Sequence, residues 1–185
     1  MSMFCYQCQE AARGTGCTIQ GVCGKLPETA KLQDLLLHTI KSIAFFSKKL
    51  RASGSITTEI DFYITNSLFM TITNANFDDD AIIVVIKKGL EIRDTLWSLA
   101  KEKGLEIENT FSTYLTSTNE LVTKEQMISF AEKVGVLRTE NEDIRSLREL
   151  VIYGLKGLSA YVEHAFNLGK QNTEIFKFIE KALVE

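Results

Sequence analysis

The sequence predicts an all-α fold: two related helical bundles preceded by a cysteine-rich loop. Three observations carry that prediction. Apolar residues recur at helical spacing along most of the chain beyond residue 27. The 185 residues include one proline and eleven glycines, too few for a turn-dense β architecture or a low-complexity chain. A 39-residue stretch also recurs without gaps 115 positions later. At 45% hydrophobic and 24% charged, the chain is suited to a real core and is not globally disordered. Its formal net charge of −3 lacks the basic excess of a nucleic-acid-binding face.

The elements follow in order. Residues 1–27 form a Cys/Gly-rich segment with too little apolar content to fold alone, so its order should depend on a bound metal. Residues 28–104 read as a first three-helix bundle. Pro27 suits the first position of a helix, where its missing N–H is not needed. Leu32, Leu35, Leu36, Ile40, Ile43, Phe46 and Leu50 fall on one face, and Gly54 marks the end. A second helix is expected from about Thr57 to Asn74 through Ile60, Ile64, Leu68 and Ile72. A third begins at Asp78 as N-cap, with Phe77 and Ile82 spaced as a hydrophobic staple, and runs to Gly104. Residues 105–138 form a connecting region in which Thr123 and Gln126 make a capping box for a short helix. Residues 139–185 open on a second box, Thr139 to Glu142, with a long helix to about Leu168, a break at Gly169 and a last helix from near Asn172.

The repeat aligns Leu32–Met70 with 147–185. Identities include Leu32/Leu147, Leu35/Leu150, Lys41/Lys156, Gly54/Gly169 and the Thr58-Glu59-Ile60/Thr173-Glu174-Ile175 triplets. Matching glycine breaks argue against chance. Two hairpins of one design are implied, and the third helix of the second copy would fall near 193–219. The sequence therefore reads as part of a longer protein, with an apolar strip on its second hairpin that favours self-association.

All four cysteines, Cys5, Cys8, Cys17 and Cys23, lie in the first 23 residues with spacing x2, x8 and x5. The N-terminus has no secretory signal pattern, and the longest apolar run, 81–86, is far short of a membrane span. The expected location is cytoplasmic, where clustered cysteines are metal ligands or redox groups rather than structural disulfides. A compact four-thiolate loop suits either one Zn2+ or one iron–sulfur cluster. A single CxxC, unequal spacings, nearby glycines and the aromatics Phe4 and Tyr6, which would shield the site from water, favour the cluster. Arg13 and Lys25 could offset its negative charge or be solvated loop charges.

These residues resemble a known family. Met3-Phe4-Cys5-Tyr6-Gln7-Cys8-Gln9-Glu10, Gly14-Thr15-Gly16-Cys17-Thr18 and Gly21-Val22-Cys23-Gly24-Lys25 are similar to the opening of the hybrid cluster proteins, also called prismane proteins or hydroxylamine reductases. The likeness continues at Thr71-Ile72-Thr73-Asn74-Ala75-Asn76-Phe77-Asp78, at 139–150, and at Tyr153-Gly154-Leu155-Lys156-Gly157. The resemblance implies a prismane-type N-terminal domain of two three-helix bundles, the second incomplete here. It implies that Cys5, Cys8, Cys17 and Cys23 bind a [4Fe-4S] cluster, a [2Fe-2S] cluster occurring in another branch. It further implies later domains holding a hybrid Fe-S-O cluster where hydroxylamine, or nitric oxide, is reduced. This chain would then relay electrons from a redox donor protein to those C-terminal catalytic domains, be inactive alone, and engage neither nucleic acid nor membrane. The competing readings are a zinc-stabilised helical module and a redox-sensing one.

Other candidates weigh less. His38 and His164 have no Cys or His at ligand spacing and read as structural. The run Asp78-Asp79-Asp80 reads as a favourable charge at a helix N-terminus, and Trp97 as core. No phosphate loop or nucleophile elbow occurs.

Overall fold

The computed structural model describes residues 3–105 and 120–184, so part of the 105–138 connecting region lies outside the described residues. The described residues contain six α-helices and no β-strand: α1 (Pro27–Leu50), α2 (Thr58–Met70), α3 (Asp79–Glu102), α4 (Lys124–Ala131), α5 (Glu142–Asn167) and α6 (Thr173–Val184). The all-α expectation holds.

Sequence explains most boundaries. Pro27 starts α1, as expected. Asp78 caps α3 by accepting from the Ala81 N–H at 3.0 Å. The capping box at α4 is complete: Thr123 Oγ1 accepts from the Gln126 N–H, and Gln126 Oε1 accepts from the Thr123 N–H at 2.9 Å.

Two boundaries differ from expectation. α2 ends at Met70 rather than near Asn74. The Thr71 hydroxyl donates to the Leu68 carbonyl at 2.8 Å, and the chain turns through Thr73 at φ 22°. Short polar side chains that bond the local backbone compete with helix continuation in this way. At α5 the cap is Asn141, whose Oδ1 accepts from the Ile144 N–H at 3.0 Å, not Thr139. Thr139 instead closes the 3-10 turn Val136–Arg138, and its carbonyl accepts from Arg145 Nη1.

α1 is the hub. It packs against α3 most extensively, then α6 and α4, while α2 packs against α5. Leu32, Leu35, Leu36, Ile40, Ile43 and Leu50 are fully buried in the core around it. Each such side chain contributes roughly 1.5–3 kcal/mol when removed from water. Through the repeat, α1 corresponds to α5 and α2 to α6. The α1–α6 and α2–α5 contacts thus join equivalent elements of the two copies. Phe62 of α2 stacks on Phe166 of α5 with ring centroids 3.9 Å apart, and Asn66 Nδ2 donates to Glu163 Oε2 at 3.1 Å.

Some residues buried in the first copy are exposed in the second, although Ile40/Leu155, Ile64/Ile179 and Leu68/Leu183 are buried in both. Leu32 and Leu35 are fully buried, whereas their counterparts Leu147 and Leu150 are 64% and 66% exposed. Tyr63 is buried with its hydroxyl donating to the Val85 carbonyl of α3, whereas its counterpart Phe178 is 58% exposed. Among the described helices, none is long and apolar enough to cross a membrane.

Candidate metal centre

The cap is built on one backbone pairing. Cys5 and Cys17 exchange both backbone hydrogen bonds, 3.1 Å from the Cys5 N–H and 2.9 Å from the Cys17 N–H, as an antiparallel bridge. Directly opposed residues of this kind project their side chains on the same face, so two of the four thiols share one side. The Met3 N–H extends the pairing to the Thr18 carbonyl at 3.1 Å. Met3, Cys17 and Ala30 pack together, with Cys5 and Ala12 against them, and seat the cap on the start of α1.

Between the two bridged residues, Cys8 leads into the short 3-10 turn Ala12–Gly14. Gly16 follows at φ 123°, and a Cβ there would meet the Phe4 ring at 2.8 Å. Only glycine fits, on both backbone and contact grounds. The Ala12 N–H donates to Cys17 Sγ at 3.4 Å, the kind of N–H···S bond that stabilises thiolate in cluster loops. Cys23 stands in a tight turn closed by the Gly21 N–H to the Lys25 carbonyl and the Gly24 N–H to the Gly21 carbonyl, each 2.8 Å. A Cβ at Gly21 would come within 3.1 Å of Cys23 Sγ.

All four cysteines are free thiols, with Cys17 buried, Cys5 and Cys8 half-buried and Cys23 exposed. Burial raises the Cys5 thiol above its ordinary value, opposed by the positive charge of Lys25 and, more weakly, of Lys156. Among the described residues, no three His, Cys, Asp or Glu side chains gather closely enough to hold a single metal ion. The donor set nonetheless fits a cluster in its chemistry: four thiols on one cap, an N–H aimed at sulfur, and glycine where a side chain would crowd Cys23.

Two expectations need correction here. Tyr6 is 57% exposed and shields nothing, although Phe4 is partly buried under Gly16. Lys25 is not a solvated loop charge but is buried, its Nζ donating to Gln33 Oε1 at 2.6 Å. Arg13 is exposed. The histidines sit elsewhere. His38 is half-buried, edge-on to Phe130, and desolvation holds it down to about 4, so it is neutral in the fold at neutral pH. His164 is tilted against Phe69. Asp79 does more than favour the α3 N-terminus, accepting from Thr29 Oγ1 at 2.7 Å and from Lys124 Nζ at 2.8 Å. Trp97 is half-buried and packs against the core, with Lys101 over its ring.

Sequence reasoning missed Lys156. It is buried on the apolar stripe of α5 formed by Ile152, Leu155 and Val162. A lysine at a stripe position, identical to Lys41 in the repeat, was the available signal.

Residues 3–185 match the model of the Prismane/CO dehydrogenase family. The chain is 51% identical over its whole length to the hydroxylamine reductase of Bacteroides fragilis and 54% identical to that of Bacteroides thetaiotaomicron, covering 32% of each. It is 49% identical over 183 residues to the hydroxylamine reductase of Acetivibrio thermocellus, again 32% of that protein. The chain thus spans about a third of the length of the curated relatives it matches. With a cysteine cap seated on an all-helical body and a match from residue 3 to residue 185, the chain belongs to the Prismane/CO dehydrogenase family.

Proposed function

We propose that this chain is the iron–sulfur electron-transfer region of a hydroxylamine reductase, with Cys5, Cys8, Cys17 and Cys23 holding a [4Fe-4S] cluster. The observation that carries the reading is the cap itself. Four free cysteines stand on one small segment, two of them opposed across a bridge, with a backbone N–H on the buried sulfur. The whole-length likeness to hydroxylamine reductases supports it. When bound, a cluster ligated by four thiolates supplies one-electron transfer with no position open to substrate.

The residues have separable tasks. Cys5 and Cys17 present thiolates from a pre-paired backbone. The Ala12 N–H stabilises the charge on Cys17. The turn from Gly21 to Lys25 carries Cys23 to the solvent side, where an electron donor protein would approach. The helical body behind the cap excludes water from the inner sulfurs. None of these groups offers acid–base chemistry to hydroxylamine, so substrate reduction belongs to C-terminal catalytic domains carrying the hybrid Fe-S-O cluster, and this chain alone is inactive. The exposed Leu147, Leu150 and Phe178 fit packing against a further helix that completes a second bundle, or self-association without it. The reading places the protein in the cytoplasm.

The test is anaerobic purification of the full-length protein. The expected result is a brown protein absorbing near 400 nm with iron and acid-labile sulfide, whose signal from this cluster is lost on changing Cys17 or Cys5 to Ser. A colourless chain carrying one zinc after anaerobic reconstitution would replace this reading with a zinc-stabilised module. Metal-free protein with reversible thiol oxidation would make it a redox sensor.

A further inference from the structure

A cavity of about 710 Å3 lies between α1, α5, α6 and the segment 133–139. The repeat shows what fills the corresponding place in the first copy. There the chain leaves α2 and turns through Thr71–Phe77 before α3 begins. Two side chains hold that turn. Lys156 Nζ, 1% exposed, donates to the Thr71 carbonyl at 3.1 Å, and Gln33 Nε2 donates to the Asn76 carbonyl at 3.0 Å. Lys156 belongs to α5, so the second copy closes the end of a helix in the first. A lysine suits this task, because the last carbonyls of a helix have no partner within it.

The counterparts of these groups surround the cavity. Lys41 corresponds to Lys156, Arg148 to Gln33, and Leu183 and Val184 to Leu68 and Phe69 at the end of α2; Lys41, Arg148, Leu183 and Val184 all line it. The helices match as well, since α5 packs on α2 and α1 packs on α6. Lys41 is half-buried, yet it forms no hydrogen bond or salt bridge among the described residues. By the same offset, Thr71 corresponds to position 186 and Asn76 to position 191. The relatives are about three times as long as this chain. Resting on the reading that the chain continues past α6 as they do, we propose that a turn at positions 186–192 fills the cavity, with Lys41 Nζ donating to the carbonyl of position 186 and Arg148 to that of position 191. The two lysines then form a reciprocal clasp, α5 closing α2 and α1 closing α6. Because α1 also seats the cysteine cap through Ala30, the clasp fixes the path toward later domains relative to that cap. The competing occupants of the cavity are solvent and a different part of the chain.

Hydrogen exchange read by mass spectrometry on the full-length protein separates them. Wild type, Lys41→Met and Lys156→Met are compared peptide by peptide. In wild type the amides of 186–192 should be protected as those of 71–77 are. Lys41→Met should speed exchange at 186–192 about fivefold, the effect of losing one buried hydrogen bond, and leave 71–77 unchanged. Lys156→Met should do the reverse. A Lys41→Met protein that exchanges at 186–192 as wild type does, or that loosens both segments equally, overturns the clasp. Wild type alone decides the matter should Lys41→Met fail to fold. Amine labelling of the native protein should modify Lys41 as slowly as Lys156. Lys41 reacting as it does in urea would leave the cavity to solvent, and a protected Lys41 with 186–192 exchanging freely would put another part of the chain there; either result overturns the proposal. A native protein ending at residue 185 would instead overturn the continuation on which the proposal stands.

Discussion

Arg51 clasps Glu180 through two parallel hydrogen bonds of 2.9 Å, Nε to Oε2 and Nη2 to Oε1, across 129 residues of sequence. The same guanidinium bonds both oxygens of Asp61. One side chain just beyond α1 thus joins α2 and α6, where the two copies of the repeat meet. Both carboxylates are buried, and Arg51 is largely so. Removing one member of a buried ionic group strands the others. Glu180→Ala should therefore cost about 3 kcal/mol in urea unfolding. Replacing Arg51, Asp61 and Glu180 together by Met, Leu and Leu should cost far less than that single change. A triple variant weaker than Glu180→Ala would show that the charges themselves, not their mutual neutralisation, hold the helices.

Asn141 and Thr139 offer a sharper local test. Both residue types are good helix caps, yet only the Asn141 side chain accepts from the first turn of α5. Asn141→Ala should destabilise by about 1 kcal/mol. Thr139→Ala should cost clearly less, because that side chain contributes only a 3.4 Å contact from Arg148 Nη1. Thermal unfolding of the two variants side by side decides it, and equal losses would contradict the cap assignment.

What could be read in advance was what depends on neighbours in the chain. The α4 capping box, Asp78 at α3 and Pro27 at α1 each need only residues within one turn. The cysteine spacing likewise put four thiols on one segment. The choice between Asn141 and Thr139 was not legible, because a 3-10 turn packed just before α5 takes Thr139 out of contention. Nor was the burial of Lys25 and Lys156. A lysine's fate depends on what folds over it, and Lys156 meets Thr71, 85 positions away. Tyr6 failed as a shield for the same reason: an aromatic beside a ligand in sequence need not cover it in space.

Asp34 and His38, one turn apart on α1, should give opposing pH dependences. Burial raises the Asp34 carboxyl from 3.8 to about 7 and lowers His38 from 6.5 to about 4. For Asp34 the folded state binds the proton more tightly. Its contribution is fully present below pH 3.8 and is lost as pH rises through about 7. For His38 the unfolded state binds the proton more tightly. Its contribution is present above pH 6.5 and is lost as pH falls through about 4. Between about pH 4 and 6.5 the two slopes nearly cancel. Asp34→Asn should remove one of them, so that the stability of the variant relative to wild type grows with pH across that window by up to about 1.4 kcal/mol per unit. Denaturation midpoints at pH 4.5, 5.5 and 6.5 measure this. A difference that stays constant with pH would mean that Asp34 is ionised in the fold.

Gly21 tests the cap with least disturbance to the helices. Its backbone needs no left-handed conformation, so alanine is not excluded by φ. The obstacle is contact: an added Cβ would lie 3.0 Å from Lys25 Cβ, 3.1 Å from Cys23 Sγ and 3.2 Å from the Lys25 backbone nitrogen. The turn is clamped by its own hydrogen bonds, so the sulfur is the freest of the three to move. Gly21→Ala should then displace the Cys23 thiol, and iron and sulfide bound per full-length chain should fall severalfold while far-ultraviolet circular dichroism is unchanged. Gly14→Ala is the control. It has no neighbour within 4 Å of the new methyl but sits at φ 67°, so it should cost about 1 kcal/mol of cap stability without touching a sulfur. If both variants lose the cluster equally, backbone strain rather than the position of Cys23 governs loading. If Gly21→Ala loads fully, Cys23 is not held where the turn puts it.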